Sequence, residues 1–121
     1  MGVVTTSMNP PVDPQALAAL RELNPEDPGF LRELIDVFLD DMPQRLAEID
    51  RALATQDAAL LIRAAHTIKG SCSNFGAAHL ASLALEMEKQ GKAAAFADAS
   101  AAVPALLAEF GRVREALQQQ R

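Results

Sequence analysis

His66, Lys69 and Gly70 are the residues in this 121-residue chain whose types and spacing could do chemistry. They lie in the run Ala64 to Gly76, Ala-Ala-His-Thr-Ile-Lys-Gly-Ser-Cys-Ser-Asn-Phe-Gly. At roughly 100° per residue, Leu61, Ala65, Ile68, Cys72 and Phe75 fall in one narrow apolar stripe, the core face of a helix. His66 projects roughly 140° away from that stripe, with Ile62, Lys69, Gly70 and Ser73 as its nearest neighbours. Neutral imidazole is a nucleophile near pH 7 without a dedicated base. A lysine one turn along can pair with a dianionic group attached to the ring. Glycine in a helix interior costs about 1 kcal/mol relative to alanine, and clearance for a bulky group approaching the ring is one reason to keep it. The constellation points to a phosphoryl-accepting histidine. The same residues also admit a plainer account: a solvated histidine, a common i+3 lysine and a glycine that permits close packing.

The elements around this run are helices. Asp13 offers an N-cap with Pro14 at the first helical position, and Leu17, Leu20 and Leu23 follow at helical spacing until Asn24-Pro25 stops them. Beyond the Pro25 to Gly29 turn, Leu31, Ile35, Phe38, Met42, Leu46, Ile49 and Leu53 predict a helix of about seven turns, flanked by Leu34 and Leu39. Pro43 inside it removes the hydrogen bond to the Leu39 carbonyl, so a bend is expected. Gln56-Asp57 reads as a tight connection, with Asp57 capping the helix of His66 and Gly76 ending it at positive φ. The next helix turns Leu80, Leu83, Ala84 and Met87 inward and Glu86, Glu88 and Lys89 outward, and Gly91 closes it. A last helix runs from about Ala94 to Gln119 on Phe96, Ala99, Val103, Leu106, Phe110, Val113 and Leu117, with Pro104 expected to bend or divide it. Residues 1–12, ending in Pro10-Pro11, read as a flexible leader, and residues 13–121 as one domain.

Composition narrows the class. Half of the residues are hydrophobic, Trp and Tyr are absent, and strand signals are nearly missing, which fits one helical bundle. A net charge of −5 argues against a nucleic-acid binder, which would need a basic patch for phosphates. The single cysteine, Cys72, excludes an internal disulfide and sits on the core stripe, consistent with a reducing cytoplasm. No apolar run reaches the roughly 18 residues of a membrane span, and the N-terminus lacks the pattern of a secretion signal. Met1-Gly2 followed by Thr6 fits only a loose myristoylation pattern. His79 stands thirteen positions from His66 across a helix break, too far for a metal pair on one helix, so no metal site is expected. The glycines make no GxG, so no ATP-binding loop is expected and the chain is read as a phosphoryl carrier rather than a self-contained kinase.

His66-Thr67-Ile68-Lys69-Gly70-Ser71, continuing through Asn74-Phe75-Gly76 to Leu80, Leu83 and Glu86, resembles the signature of the histidine-containing phosphotransfer (HPt) domains of bacterial and fungal phosphorelays. The Asp13-Pro14 start, the Phe38 to Leu46 run with its Pro43, and the helix ending near Gln90-Gly91 extend the resemblance over roughly residues 12 to 118. It implies an all-α fold, an antiparallel up-down four-helix bundle with a short extra N-terminal helix, with His66 on its second helix. It further implies that His66 is phosphorylated, that Lys69 is its electrostatic partner and that Gly70 gives clearance. Cys72 departs from the pattern, standing where Ser or Ala is more usual.

The resemblance names the partners as well: receiver domains of response regulators or of a hybrid histidine kinase, one giving the phosphoryl group to His66 and another taking it. The protein is expected to hold no cofactor of its own, with Mg²⁺ supplied by the receiver, because no acidic cluster is visible next to His66. A cytoplasmic monomer docking through Ile62, Ser73 and Leu39 is the corresponding expectation. One rival is a non-catalytic helical module that docks on a receiver or kinase; the intact His-Thr-Ile-Lys-Gly run argues against it. Another is a metal-dependent helical enzyme, which would need paired Glu and Glu-x-x-His ligands that are missing.

Overall fold

A computed structural model describes residues 10–121. Most of the expected leader, residues 1–9, therefore lies outside the described residues. Five helices follow in order: α1 (Pro14–Leu23), α2 (Phe30–Thr55), α3 (Ala58–Ser73), α4 (Ala78–Lys92) and α5 (Phe96–Gln118), with no strand among the described residues.

Local chemistry sets the boundaries. The Asp13 carboxylate accepts the N–H of Gln15 at 2.9 Å and Pro14 opens α1 with no N–H to satisfy. Asp57 does the same for α3, accepting from Leu60 N–H at 3.1 Å. Gln56 takes the left-handed conformation that ends α2, and its N–H returns to the last-turn carbonyls of Ala52 and Leu53. Gly76 has φ +63°, as its position after the His66 helix predicts. It also lies against α1: a Cβ there would collide with the Cβ of Asp13, whose N–H donates to the Phe75 carbonyl at 3.0 Å. Val12, assigned to the leader from sequence, is buried in the core at this junction.

The long helices pack in a cycle, α2 on α3, α3 on α4, α4 on α5 and α5 back on α2, while α1 packs on α2. Their inward faces are the apolar stripes of the sequence: Ile35, Met42 and Ile49 of α2, Leu61 and Ile68 of α3, Leu80 and Met87 of α4, and Leu106, Val113 and Leu117 of α5 are all buried. Phe38 meets Phe75 edge-on at 5.2 Å between centroids and Phe110 at 6.3 Å, tying α2 to the end of α3 and to α5.

One expectation is narrowed and one corrected. Of the bend or division expected at Pro104, division does not occur: α5 is continuous with the proline exposed inside it. Gly91 does not end α4, which runs on to Lys92; it is buried, and a Cβ there would sit 2.9 Å from Cγ1 of Ile62. Its small size lets α4 approach α3 closely, and that approach builds the site. No helix among the described residues is long and apolar enough to cross a membrane.

Candidate functional site

The core stripe of α3 decides where His66 points. Leu61, Ala65, Ile68 and Cys72 are fully buried, so the imidazole, on the opposite side of the helix, is 65% exposed. Burial also pushes the Cys72 thiol up to about 12, which makes it a small core hydrophobe rather than a reactive group.

Glu88 of α4 was expected to face outward. Instead it is 7% exposed and lies beneath His66. His66 Nδ1 donates to its Oε2 at 3.2 Å, Lys69 Nζ donates to its Oε1 at 3.0 Å, and Lys92 Nζ stands 3.6 Å from Oε2. A buried carboxylate is costly unless it is paired and hydrogen-bonded, and here it is both. The hydrogen bond from Lys69 holds its carboxyl below the ordinary 4.5, against the opposing effect of burial and with further help from His66. The position was readable in part: Glu88 follows Ala84 by four residues and precedes Gly91 by three, so it projects between two inward positions. A polar type on the edge of the stripe masked it.

This arrangement selects one imidazole tautomer. An ionised carboxylate only accepts hydrogen bonds, so in the neutral ring Nδ1 carries the proton and Nε2 the free lone pair. Lys69, half-buried with its stem against the protein, brings a positive charge to the same patch. A Cβ built on Gly70 meets nothing within 4 Å. Among the described residues no packing asks for that glycine, in contrast to Gly91.

The remaining candidates divide. Ile62 lies on the same helix face, half-buried toward Gly91, and Ser73 is exposed near the end of α3. Leu39 is not brought to His66. It is half-buried in a groove with Asp36, Gln118 and Arg121 on the α2–α5 seam, because its place on α2 turns it away from α3. Sequence reasoning passed over Val37, which is 67% exposed and borders a shallow groove of about 180 Å³ with Leu34, Ser71 and Asn74 on the α2–α3 seam. His79 is exposed near the start of α4. Among the described residues no three His, Cys, Asp or Glu side chains gather into a group that could hold a metal.

Comparisons with known proteins identify the family. The family model of the Hpt domain matches residues 33–119, from α2 to the end of α5. Among solved structures, histidine-containing phosphotransfer protein B (HptB) from Pseudomonas aeruginosa PAO1 is similar with a TM-score of 0.84 and 32% identity, over 93% of this chain and 96% of that one. Comparison with curated protein sequences gives no match. The chain belongs to the Hpt family and is a histidine phosphotransfer protein of a phosphorelay.

Proposed function

We propose that His66 is the residue that accepts the phosphoryl group from a receiver-domain aspartate and passes it to another receiver. The observation that supports this reading best is the convergence of an exposed His66 and of Lys69 on the buried carboxylate of Glu88, which in the neutral ring leaves the lone pair on Nε2. In the forward step the Nε2 lone pair attacks phosphorus in line, the P–O bond to the donor aspartate breaks, and its electron pair leaves with the carboxylate. Lys69 offsets charge on the phosphoryl oxygens, and open space over Gly70 admits the group. The oxygens of Glu88 are engaged by His66, Lys69 and Lys92, so Mg²⁺, where the reaction needs it, is assigned to the receiver.

Residues 13–121 act on this reading as one domain, an antiparallel four-helix bundle with α1 as its extra helix; the short connections and the cyclic packing support that topology. A cytoplasmic monomer is the accompanying assignment. The docking face runs across α3 from Ile62 and Ser73 to Val37 of α2, in place of Leu39.

The test is transfer of acid-labile, alkali-stable label from a phosphorylated receiver to wild type, His66→Gln and Val37→Asp. Wild type should take label, His66→Gln none, and Val37→Asp should take it more slowly with unchanged helicity. Label on His66→Gln would sink the assignment, and binding without label on wild type would leave a docking module without chemistry.

A further inference from the structure

Phosphorylation poses a question that the free histidine does not: how readily the group leaves again. When the P–Nε2 bond breaks, its electron pair returns to Nε2. If Nδ1 is protonated the leaving group is neutral imidazole; if not, it is imidazolate, a far stronger base and a poorer leaving group. The protonation state of Nδ1 in phospho-His66 therefore sets the lability of the phosphoryl group.

We propose that Glu88 is a positioning residue that keeps Nδ1 of phospho-His66 protonated through neutral pH, holding the phosphoryl group in its readily transferable form. This rests on His66 being the acceptor. Glu88 Oε2 is 3.2 Å from Nδ1, inside a seam closed by Gly91 and Ile62, where a carboxylate acts through a lower effective dielectric than water. A negative charge at hydrogen-bond distance favours the imidazolium form.

The other charges on the elements around the ring do not cancel this one. On α3, Lys69 is bonded to the far oxygen, Oε1, and Arg63 is exposed one turn back. On α4, Lys92 reaches Oε2 at the longer distance of 3.6 Å. On α2, Asp41 and Glu48 pair with Arg45 as a separate row and make no hydrogen bond to the ring. When a phosphoryl group draws Lys69 toward its own oxygens, Lys92 stays beside Glu88 and the Nδ1 contact is kept. The ring then cycles between neutral imidazole and phosphoimidazolium, with the Nδ1 proton in place throughout. In hydrolysis, water forms the new P–O bond and gives its proton to solvent.

Phosphoramidate, a small donor that loses ammonia as the P–Nε2 bond forms, loads the protein without any receiver. Decay of phospho-His66 would be followed by phosphorus NMR from about pH 5 to about pH 9 in wild type, Glu88→Gln and Glu88→Asp. Gln keeps the size and a hydrogen bond but not the charge; Asp keeps the charge on a shorter arm. The pH at which decay slows should lie at least about one unit higher in wild type than in Glu88→Gln, making wild type about tenfold faster near pH 8, with Asp between them. Superimposable profiles for phosphorylated wild type and Glu88→Gln would overturn the proposal while leaving His66 as acceptor. Equal displacement in Gln and Asp would also overturn it, since geometry rather than charge would then be responsible. Failure of wild type to take label at His66, with His66→Gln as control, would remove the acceptor assignment and this proposal together.

Discussion

The α3–α4 seam and the second half of α5 hold nearly the same parts. Each has a buried glutamate, Glu88 or Glu109; each has a basic residue paired with it, Lys69 or Arg112; each has a helical glycine, Gly70 or Gly111, whose missing Cβ would meet nothing within 4 Å. They are wired differently. Arg112 Nη1 donates to Glu109 Oε1 at 2.8 Å within one helix, three residues apart, and among the described residues Glu109 Oε2 is buried without a hydrogen bond. Both oxygens of Glu88 instead meet side chains from a second helix, one of them an exposed imidazole. An inventory of acid, base and glycine is thus not a site. What distinguishes the seam is that two helices bring an exposed imidazole and an ammonium onto one buried carboxylate.

Three experiments would break or sharpen this contrast. The largest effect is expected from removing the acids: Glu88→Ala should slow phosphoryl acceptance from a receiver by up to about a hundredfold, because the ring loses the group that fixes its tautomer and orientation. Glu109→Ala should leave that rate unchanged, and equal rates for the two variants, both with native circular dichroism, would erase the distinction. The glycines come next. Gly70→Ala and Gly111→Ala should each raise stability in urea by about 1 kcal/mol, the ordinary helix preference of alanine over glycine at an open site. Transfer should slow only for Gly70→Ala, and transfer at the wild-type rate there would remove its clearance role.

The smallest effect lies in the acid limb of stability. The carboxyl of Glu88 is held below its ordinary 4.5, first by Lys69 and then by His66, so its folded-state value lies below its unfolded one. Its contribution is therefore present above that ordinary value and is lost as pH falls through the folded-state value. Urea titrations from about pH 6 down to about pH 3 should show a steeper loss for wild type than for Glu88→Gln. Asp36, likewise held low by Arg121, contributes equally to both proteins, so the difference reports on Glu88. Parallel acid limbs would mean that the seam adds no pH-dependent stability.

Much of the fold was legible because it rests on local rules. Asp13 and Asp57 cap their helices and Gly76 takes positive φ, since each involves only neighbours in the chain. The apolar stripes were legible because a 3.6-residue period is visible in any one helix. Left-handed Gln56 and Ala94 were not, for neither is a residue type that announces such a turn. Val12 and Gly91 were misplaced because their partners, the Phe75–Asp13 junction and Ile62, are distant in sequence or on another helix.

The sequence by itself determined that His66 stands outward on a helix, with Lys69 one turn along and Gly70 beside it, because periodicity sets each side chain's angle about its own axis. It does not set the height and rotation of one helix against the next. Only the packing of α4 on α3, close enough to require Gly91, decided that Glu88 lies under the imidazole, and only the packing of α2 against α3 and α5 decided that Val37 rather than Leu39 borders the seam beside α3.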